Sequence, residues 1–446
     1  MAQQRRMSKR VVRWAVLSLV STLLLLLGFL AFRNWGVQGT VFPVRVASGS
    51  MAPTLVGPHL QLTCPDCGFP FICGSEFAAD EFTTVCPNCG CRDHDVDSAE
   101  THPGQRVWID NFVYLTSKPK RWDVVALHPP DNDSQLVVKR IVGLPGETVS
   151  IRGGDIYIDD EILQKPLSTV RETAILVHDD RYRPNDSTLP SRWRSDEPES
   201  NWRPTDDGYV YIPDEDEAEA PEIEWLTYHH CPCIYSPAPR GIEKPIWDSY
   251  GYNQGLSRNL NDVNDIWFSC EIVGDRGPRV LFRIAEEDKW TVATVDGETS
   301  RVHLEVLTGE VVLETAFFNP MPWQVMWGRC DGRYFLVING NLVAETPCPT
   351  AKTGRDVTAS PFAIGAEGNR VQLRNLRVYR DIHYLGLHND GADWSLGRPL
   401  EADEYFVLGD NCPASTDSRR WRSGVPASQI LGRIIPRPLD EGDQSP

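Results

Sequence analysis

Four short stretches of this chain hold residues whose types and spacing could do chemistry. Two knuckles, Cys64-Pro65-Asp66-Cys67-Gly68 and Cys86-Pro87-Asn88-Cys89-Gly90, are separated by 18 residues. Four thiolates at this spacing suit tetrahedral zinc, with each Gly letting backbone N–H groups face the sulfurs. Cys73 and Cys91 bring the local set to six, which also allows three disulfides. The C-x-x-C spacing favours zinc over an ordinary staple. Four thiolates leave no open coordination position, so zinc at Cys64, Cys67, Cys86 and Cys89 is expected to be structural. Further toward the N-terminus, Ser48-Gly49-Ser50-Met51-Ala52-Pro53 reads by itself as a turn. A serine nucleophile needs a base to take its proton, and no His stands in a recognisable triad order. Lys139 follows the apolar run Leu136-Val137-Val138 and precedes the turn Gly143-Leu144-Pro145-Gly146. To be neutral near pH 7 it must lose about three pKa units; alone it reads as a strand-end lysine that snorkels to water. Gly409-Asp410-Asn411 and Ser415-Thr416-Asp417-Ser418-Arg419 follow the strand-like Tyr405-Phe406-Val407-Leu408. Alone they read as a polar turn with a surface Asp417–Arg419 ion pair.

Taken together and in chain order, the serine, lysine and closing stretches resemble the type I signal peptidases, the Ser-Lys membrane proteases. Residues 46–55 resemble their serine box. Lys139–Gly146 matches their K-R-x-x-G-L-P-G box, and Gly409–Arg419 matches G-D-N-x-x-x-S-x-D-S-R. Lys120-Arg121-Trp122-Asp123-Val124-Val125 resembles the remaining box, usually R-G-D-[IV]-V, with Trp122 in place of its Gly. The resemblance covers residues 10–60, 103–165 and 395–440. It implies that Ser50 is the nucleophile and that Lys139, held neutral by burial, is the general base that later protonates the leaving amine. The Ser50 N–H and the Ser48 hydroxyl would form the oxyanion hole. Ser415 would orient the Lys139 amine, Asp417 and Arg419 would form a supporting ion pair, and Asp410 would brace the site. No cofactor is implied for catalysis. The implied substrates are secreted preproteins, cut after small residues at −3 and −1 of the signal peptide. The implied fold is a mostly antiparallel β structure whose apolar surface touches the lipid bilayer.

These residues need elements to carry them. With 446 residues the chain has room for about three domains. Its 62 acidic and 44 basic residues give a net charge of −18, which argues against nucleic acid as a partner. Trp14 to Phe32 is 19 residues without a charge; as a helix it spans about 28 Å, close to a bilayer core. Arg5, Arg6, Lys9, Arg10 and Arg13 precede it and only Arg33 follows closely. Positive-inside logic puts residues 1–13 in the cytoplasm and the catalytic part on the other side of the cell (inner) membrane. A cleaved signal peptide has a shorter apolar core and a small-x-small site, which Phe32-Arg33-Asn34-Trp35 lacks. A single-pass anchor over 14–32 is therefore expected.

The fold class expected is mainly β: anchor helix, signal-peptidase β core, a zinc-ribbon-like insert and a β-sandwich insert. The core is assigned to 36–60, 103–165 and 395–440, and the ribbon-like insert to 61–102. Residues 166–225 read as an acidic, Pro-rich loop or linker, most charged at Asp214-Glu215-Asp216-Glu217-Ala218-Glu219. The sandwich is assigned to 226–390. His229-His230-Cys231-Pro232-Cys233 offers metal-ligating types but reads as a strained loop with ordinary thiols. From 262 to 382 short alternating strands recur, and Tyr334 to Ala344 reads as a hairpin turning at Asn339-Gly340. The pattern resembles a jelly-roll sandwich of the concanavalin/laminin-G kind, folds that often bind carbohydrate or protein. Trp267, Trp323 and Trp327 fall in apolar strands and are expected in its core. Two other functional readings remain open: a specialised protease for a few preproteins, and an anchored binding or scaffold protein built on a protease frame. The intact Ser48, Ser50, Lys139, Ser415, Asp417 and Arg419 argue against the second.

Overall fold

Alternating apolar residues and frequent Gly/Pro turns drive most of the chain into antiparallel strands. The computed structural model describes residues 14, 17–29, 41–76, 84–92, 94, 96, 99–213, 223–234, 239–274, 277–286, 289–306, 310–316, 320–348, 357–387 and 391–436. The protein is mainly β. Residues 17–29 are helical, while residues 1–13, 15–16 and 30–40 lie outside the described residues. Among the described residues no helix is long and apolar enough to cross a membrane, so the expected anchor over 14–32 is only partly within view.

One seven-stranded antiparallel sheet runs in the order Val41–Arg45, Arg106–Asp110, Ile430–Pro436, Val124–Leu127, Val137–Gly143, Glu404–Leu408, Val425–Pro426. Alternation gives it two buried faces. Met51, Leu55, Val107, Ile109 and Ala126 pack on one side. Val125, Leu127, Ile141, Val407 and Val425 pack on the other. Strands far apart in sequence are neighbours here, because Val137–Gly143 pairs with Glu404–Leu408. A second sheet of four strands, Glu161–Ile162, Asp155–Ile158, Thr148–Arg152 and Trp394–Pro399, extends this core.

Between residues 175 and 380 two larger sheets pack face to face. One is ordered Trp202–Thr205, Gly208–Tyr211, Val371–Arg380, Ile266–Gly274, Trp323–Cys330, Arg333–Ile338, Asn341–Pro347, with Ile175–Asp179 also on Val371–Arg380. The other is ordered Trp193–Arg194, Glu224–Tyr228, Phe362–Glu367, Arg279–Glu286, Lys289–Asp296, Arg301–Val306, Glu310–Ala316. Trp323, Trp327, Phe268, Phe282 and Phe362 fill the space between them. Trp267 is buried on the opposite face with Phe335. The hairpin turns at Asn339 and Gly340, with φ of 49° and 82°, the pair of positive values a type I′ turn requires.

One expectation is corrected. The stretch 166–225 is not simply a linker: Ile175–Asp179, Trp193–Arg194, Trp202–Thr205 and Gly208–Tyr211 add to the sandwich sheets. These strands are short and carry Pro, Arg and Asp, so their pattern hides in a polar composition. Residues 214–222, with the densest charge, lie outside the described residues.

Candidate active site

The Ser50 turn leaves the edge strand Val41–Arg45 and is closed by Ala52 N–H to Gly49 O (3.1 Å) and Leu55 N–H to Met51 O (2.9 Å). Four strands in, Lys139 sits on Val137–Gly143 opposite Val125. Its side chain is 3% exposed, and Nζ lies 3.1 Å from Ser50 Oγ and 3.0 Å from the Val138 carbonyl. Burial is the largest influence on the amine. It pulls the pKa from 10.5 down to about 8, with Arg419 helping and Asp417 and Asp410 opposing. The Ser48 hydroxyl lies 3.4 Å from Ser50 Oγ. A buried amine and two serine hydroxyls thus meet at one point.

The closing stretch folds under this pair. Asp417 and Arg419 are 0% and 2% exposed. They join through two 2.8 Å hydrogen bonds, from Arg419 Nε to Asp417 Oδ1 and from Nη2 to Oδ2. Burial pushes the Asp417 carboxyl up, but the Arg419 guanidinium outweighs it and holds the group below the usual range. Arg419 also donates to the Leu385 and Cys412 carbonyls, at 2.8 and 2.9 Å. The pair is therefore a buried joint and not the surface pair its sequence alone suggests. Ser415 is buried against Gly409 and the Ser50 carbonyl, where a Cβ on Gly409 would meet its Oγ at 2.3 Å. The bond from Ser415 to the Lys139 amine, expected from the resemblance, is not made. The Nζ bonds go to Ser50 and Val138, and the buried Ser415 hydroxyl makes no hydrogen bond among the described residues.

Asp410 does its bracing through residues to which sequence reasoning gave no role. It accepts from Arg140 Nε (2.9 Å) and Nη2 (2.8 Å) and from the Thr54 hydroxyl (2.5 Å). Arg140 also reaches Glu172 at 3.2 Å and the Trp122 carbonyl at 3.1 Å. Asn411 donates from Nδ2 to the Gly49 carbonyl (2.8 Å) and from its N–H to the Ser50 carbonyl (3.1 Å). Arg140 and Asn411 stand inside the quoted boxes, so the signal was present without a role attached to it. Trp122 takes φ +73°, the conformation for which the family's Gly is suited.

The four knuckle cysteines also converge. Cys64 and Cys89 sulfurs are 3.6 Å apart, Cys67 and Cys86 are 3.7 Å apart, and all four lie within 4.8 Å of one another. Zinc–sulfur bonds of about 2.3 Å in a tetrahedron give sulfur–sulfur edges of roughly 3.8 Å, so the residues fit zinc. None of the twelve cysteines is in a disulfide. Gly68 and Gly90 take φ of 73° and 77°, turning the chain so that Gly68 N–H and Gly90 N–H return to the Cys64 and Cys86 carbonyls. His229 instead faces Glu243 and Ser360, each at 3.1 Å, and His230 pairs with the Tyr228 hydroxyl. No metal-ligating cluster among the described residues includes His229, His230, Cys231 or Cys233.

Comparison with known proteins follows the same residues. A family model described as signal peptidase, peptidase S26, matches residues 93–211 and 335–437. That span takes in Lys139 and Asp410 to Arg419, while Ser50 precedes it. A signal peptidase I from Leptolyngbya laminosa is 33% identical over 67 residues, 14% of this chain and 33% of that protein. A signal peptidase I from Bacillus licheniformis is 36% identical over 79 residues, 17% of this chain and 41% of that protein. The chain thus spans well under two thirds of the length of these relatives. Among solved structures, a carbohydrate-binding module from Bacillus subtilis is 12% identical, covering 42% of this chain and 94% of its own, with a TM-score of 0.26. A galectin-like protein of unknown function from the same species is 9% identical, covering 47% and 97%, with a TM-score of 0.29. Scores this low carry neither fold nor ligand across. The boxes around Lys139 and Asp417 and the family match over them lead to one assignment: the chain belongs to the signal peptidase family, peptidase S26.

Proposed function

We propose that this protein is a membrane-bound serine endopeptidase that removes signal peptides from preproteins. The observation that carries the reading is a buried amine, its pKa down to about 8, lying 3.1 Å from Ser50 Oγ. The neutral Lys139 amine takes the Ser50 proton as Oγ attacks the scissile carbonyl, and the tetrahedral intermediate collapses to an acyl-enzyme ester as its C–N bond breaks. The same ammonium then returns its proton to the leaving amine. Lys139 next activates the water that hydrolyses the ester. The Ser50 N–H and Ser48 hydroxyl receive the oxyanion, an interaction whose loss typically costs about 10²–10³ in rate. Asp417, Arg419 and Ser415 hold the floor beneath Lys139, and Asp410 with Arg140 holds the loop that follows Ser50. Small residues at −3 and −1 of the substrate are part of this proposal.

The membrane reading has its own support. Leu17, Leu19, Leu23 to Leu27 and Phe29 are exposed along the N-terminal helix. Trp108, Phe112, Leu115 and Ile435 are also exposed. Trp108 pairs with Pro43 and Ile435 in the catalytic sheet. An apolar patch beside the strand that follows the helix suits a catalytic sheet that rests on lipid. Residues 14–32 are then a single-pass anchor, with the catalytic part on the non-cytoplasmic side. Zinc held by Cys64, Cys67, Cys86 and Cys89 supplies a rigid cross-link and no chemistry.

The test is cleavage of a purified preprotein by the full chain in lipid. Wild type should cut after a small-x-small pair, as mapped by intact mass. Ser50→Ala and Lys139→Ala should each lose the cut. A cut that survives in either variant overturns the dyad.

A further inference from the structure

Both inserts grip the loop that carries Ser50. From the ribbon-like insert, Glu76 follows the strand Pro70–Gly74, and its Oε1 accepts from the Gly49 N–H at 2.5 Å. Its neighbour Ser75 donates from backbone and hydroxyl to the Pro58 carbonyl, at 3.0 and 3.1 Å. From the sandwich insert comes the turn Tyr252-Asn253-Gln254. The Tyr252 hydroxyl also donates to the Pro58 carbonyl, at 3.1 Å. Its ring lies so close to the loop that a Cβ on Gly49 or Gly74 would sit 2.1 or 2.4 Å from it. The buried amides of Asn253 and Asn411 exchange two hydrogen bonds, at 2.6 and 2.8 Å. Asn411 passes this grip to the Gly49 and Ser50 carbonyls. Gln254 then turns outward and closes on Val85 with two bonds, Val85 N–H to Oε1 (2.7 Å) and Nε2 to Val85 O (2.8 Å). Val85 is the residue before Cys86.

The backbone on both sides of the nucleophile is therefore tied to the four-thiolate centre by two routes. One runs from the first knuckle through its hairpin to Glu76. The other runs from the second knuckle through Val85, Gln254, Asn253 and Asn411. Each link is a hydrogen bond: those of the second route lie between buried or half-buried groups, while Ser75 and Glu76 of the first route are exposed, and no link uses the Ser50 hydroxyl or the Lys139 amine. Reaction geometry is sensitive at this level, since a misplacement of about 1 Å can cost roughly 10²-fold in rate. Loosening the knuckles frees both Glu76 and Val85, and with them the two restraints on Gly49.

We propose that Glu76 and the Tyr252–Gln254 turn are positioning residues through which zinc at the four cysteines sets the Gly49–Ser50 backbone, making acylation of Ser50 metal-dependent. This rests on the peptidase reading above and adds a control to the same site. The experiment uses the full chain in lipid, with zinc removed by a chelator and then restored. Bound zinc is counted per chain, Ser50 acylation by a serine-directed probe is counted by intact mass, and amide exchange is followed across residues 49–51. Removal of zinc should slow acylation at least about tenfold and speed exchange at Gly49, and zinc should restore both. In the zinc-loaded protein Glu76→Ala should lower kcat by about 10- to 100-fold with KM little changed. Glu76→Gln keeps an acceptor oxygen and should recover most of that loss. Gln254→Ala, which cuts the second route without touching a ligand, should lower kcat with zinc still bound. Acylation and exchange that ignore zinc, or Glu76→Ala and Gln254→Ala that match wild type, overturn the proposal. If zinc controls exchange at Gly49 while no preprotein is ever cut, the positioning device stands and the peptidase reading falls.

Discussion

The charge of Lys139 is set by two opposed effects. Burial favours the neutral amine, and the carboxylates of Asp417 and Asp410 favour the ammonium. Burial wins by a shift from 10.5 to about 8, worth roughly 3 kcal/mol. Below that pH the amine is protonated and, as the base proposed above, could not take the Ser50 proton. The rate constant kcat/KM should therefore rise about tenfold per pH unit up to about pH 8 and level off above it, as measured by initial rates from pH 6 to 9.5. Asp417→Asn removes a negative charge that holds the proton on Lys139 and leaves Arg419 unpaired. The midpoint of that profile should move to lower pH, and denaturant titration should show a loss of about 3–5 kcal/mol. A midpoint that stays in place would mean that Asp417 does not act on the amine. The identity of the pair was legible in the sequence only through its boxes, because neither Ser50 nor Lys139 alone outweighs a turn or a snorkelling lysine. The placing of the Ser415 hydroxyl, buried and without a hydrogen-bond partner among the described residues, was not legible, because it depends on a backbone turn that no spacing encodes.

Among the elements, the turn before Val124–Leu127 carries a conflict. Trp122 holds φ +73°, a conformation that costs a non-glycine residue about 1 kcal/mol. The same side chain packs half-buried against the core that includes Val142, Phe406 and Leu408, and the Lys165 ammonium lies 5.9 Å from its ring. Partial burial of so large a ring is worth about 2 kcal/mol or more. Packing wins over strain, so Trp122→Gly should lower stability by about 1–2 kcal/mol in thermal melts even though it restores the residue the turn prefers. A gain in stability would show that strain dominates. The longer strands and the Asn339–Gly340 hairpin were readable from alternation and turn chemistry. The strands at 193–194 and 202–205 were not, since two to four residues carrying Arg and Pro show no period. Glu76 and Gln254 could not be found from sequence either, because their partners are backbone groups far away in the chain.

At the scale of the molecule, catalytic core and sandwich meet over a buried charge cluster. Lys165 bridges Asp331 and Asp381 at 2.6 and 2.7 Å, and Asp265 accepts from the Asp331 N–H at 2.7 Å. Burial is the main reason the Asp381 carboxyl is pushed up to about 6; Lys165 opposes the shift, and Asp331 and Asp265 add to it. The folded state therefore holds an extra proton between about pH 4 and 6, and stability falls as pH rises through that window. Asp381→Asn should raise the Tm at pH 8 and narrow the difference between pH 8 and pH 5 seen in wild type. A variant less stable at pH 8 would mean that the bond to Lys165 outweighs the repulsion. The contact between Asn411 and the Ser50 loop has a consequence in time. Gly49 and Asn411 hydrogen-bond across 362 residues. Synthesis at about 5–20 residues per second separates their emergence from the ribosome by roughly 20–70 s. Through that interval the nucleophile exists without the groups that fix its backbone. A nascent chain that stops short of residue 404 carries both inserts and Ser50 but no floor beneath Lys139. The Ser50 backbone therefore waits on residues 404–419 for its last braces, and on the reading proposed above it should be idle until they have been made.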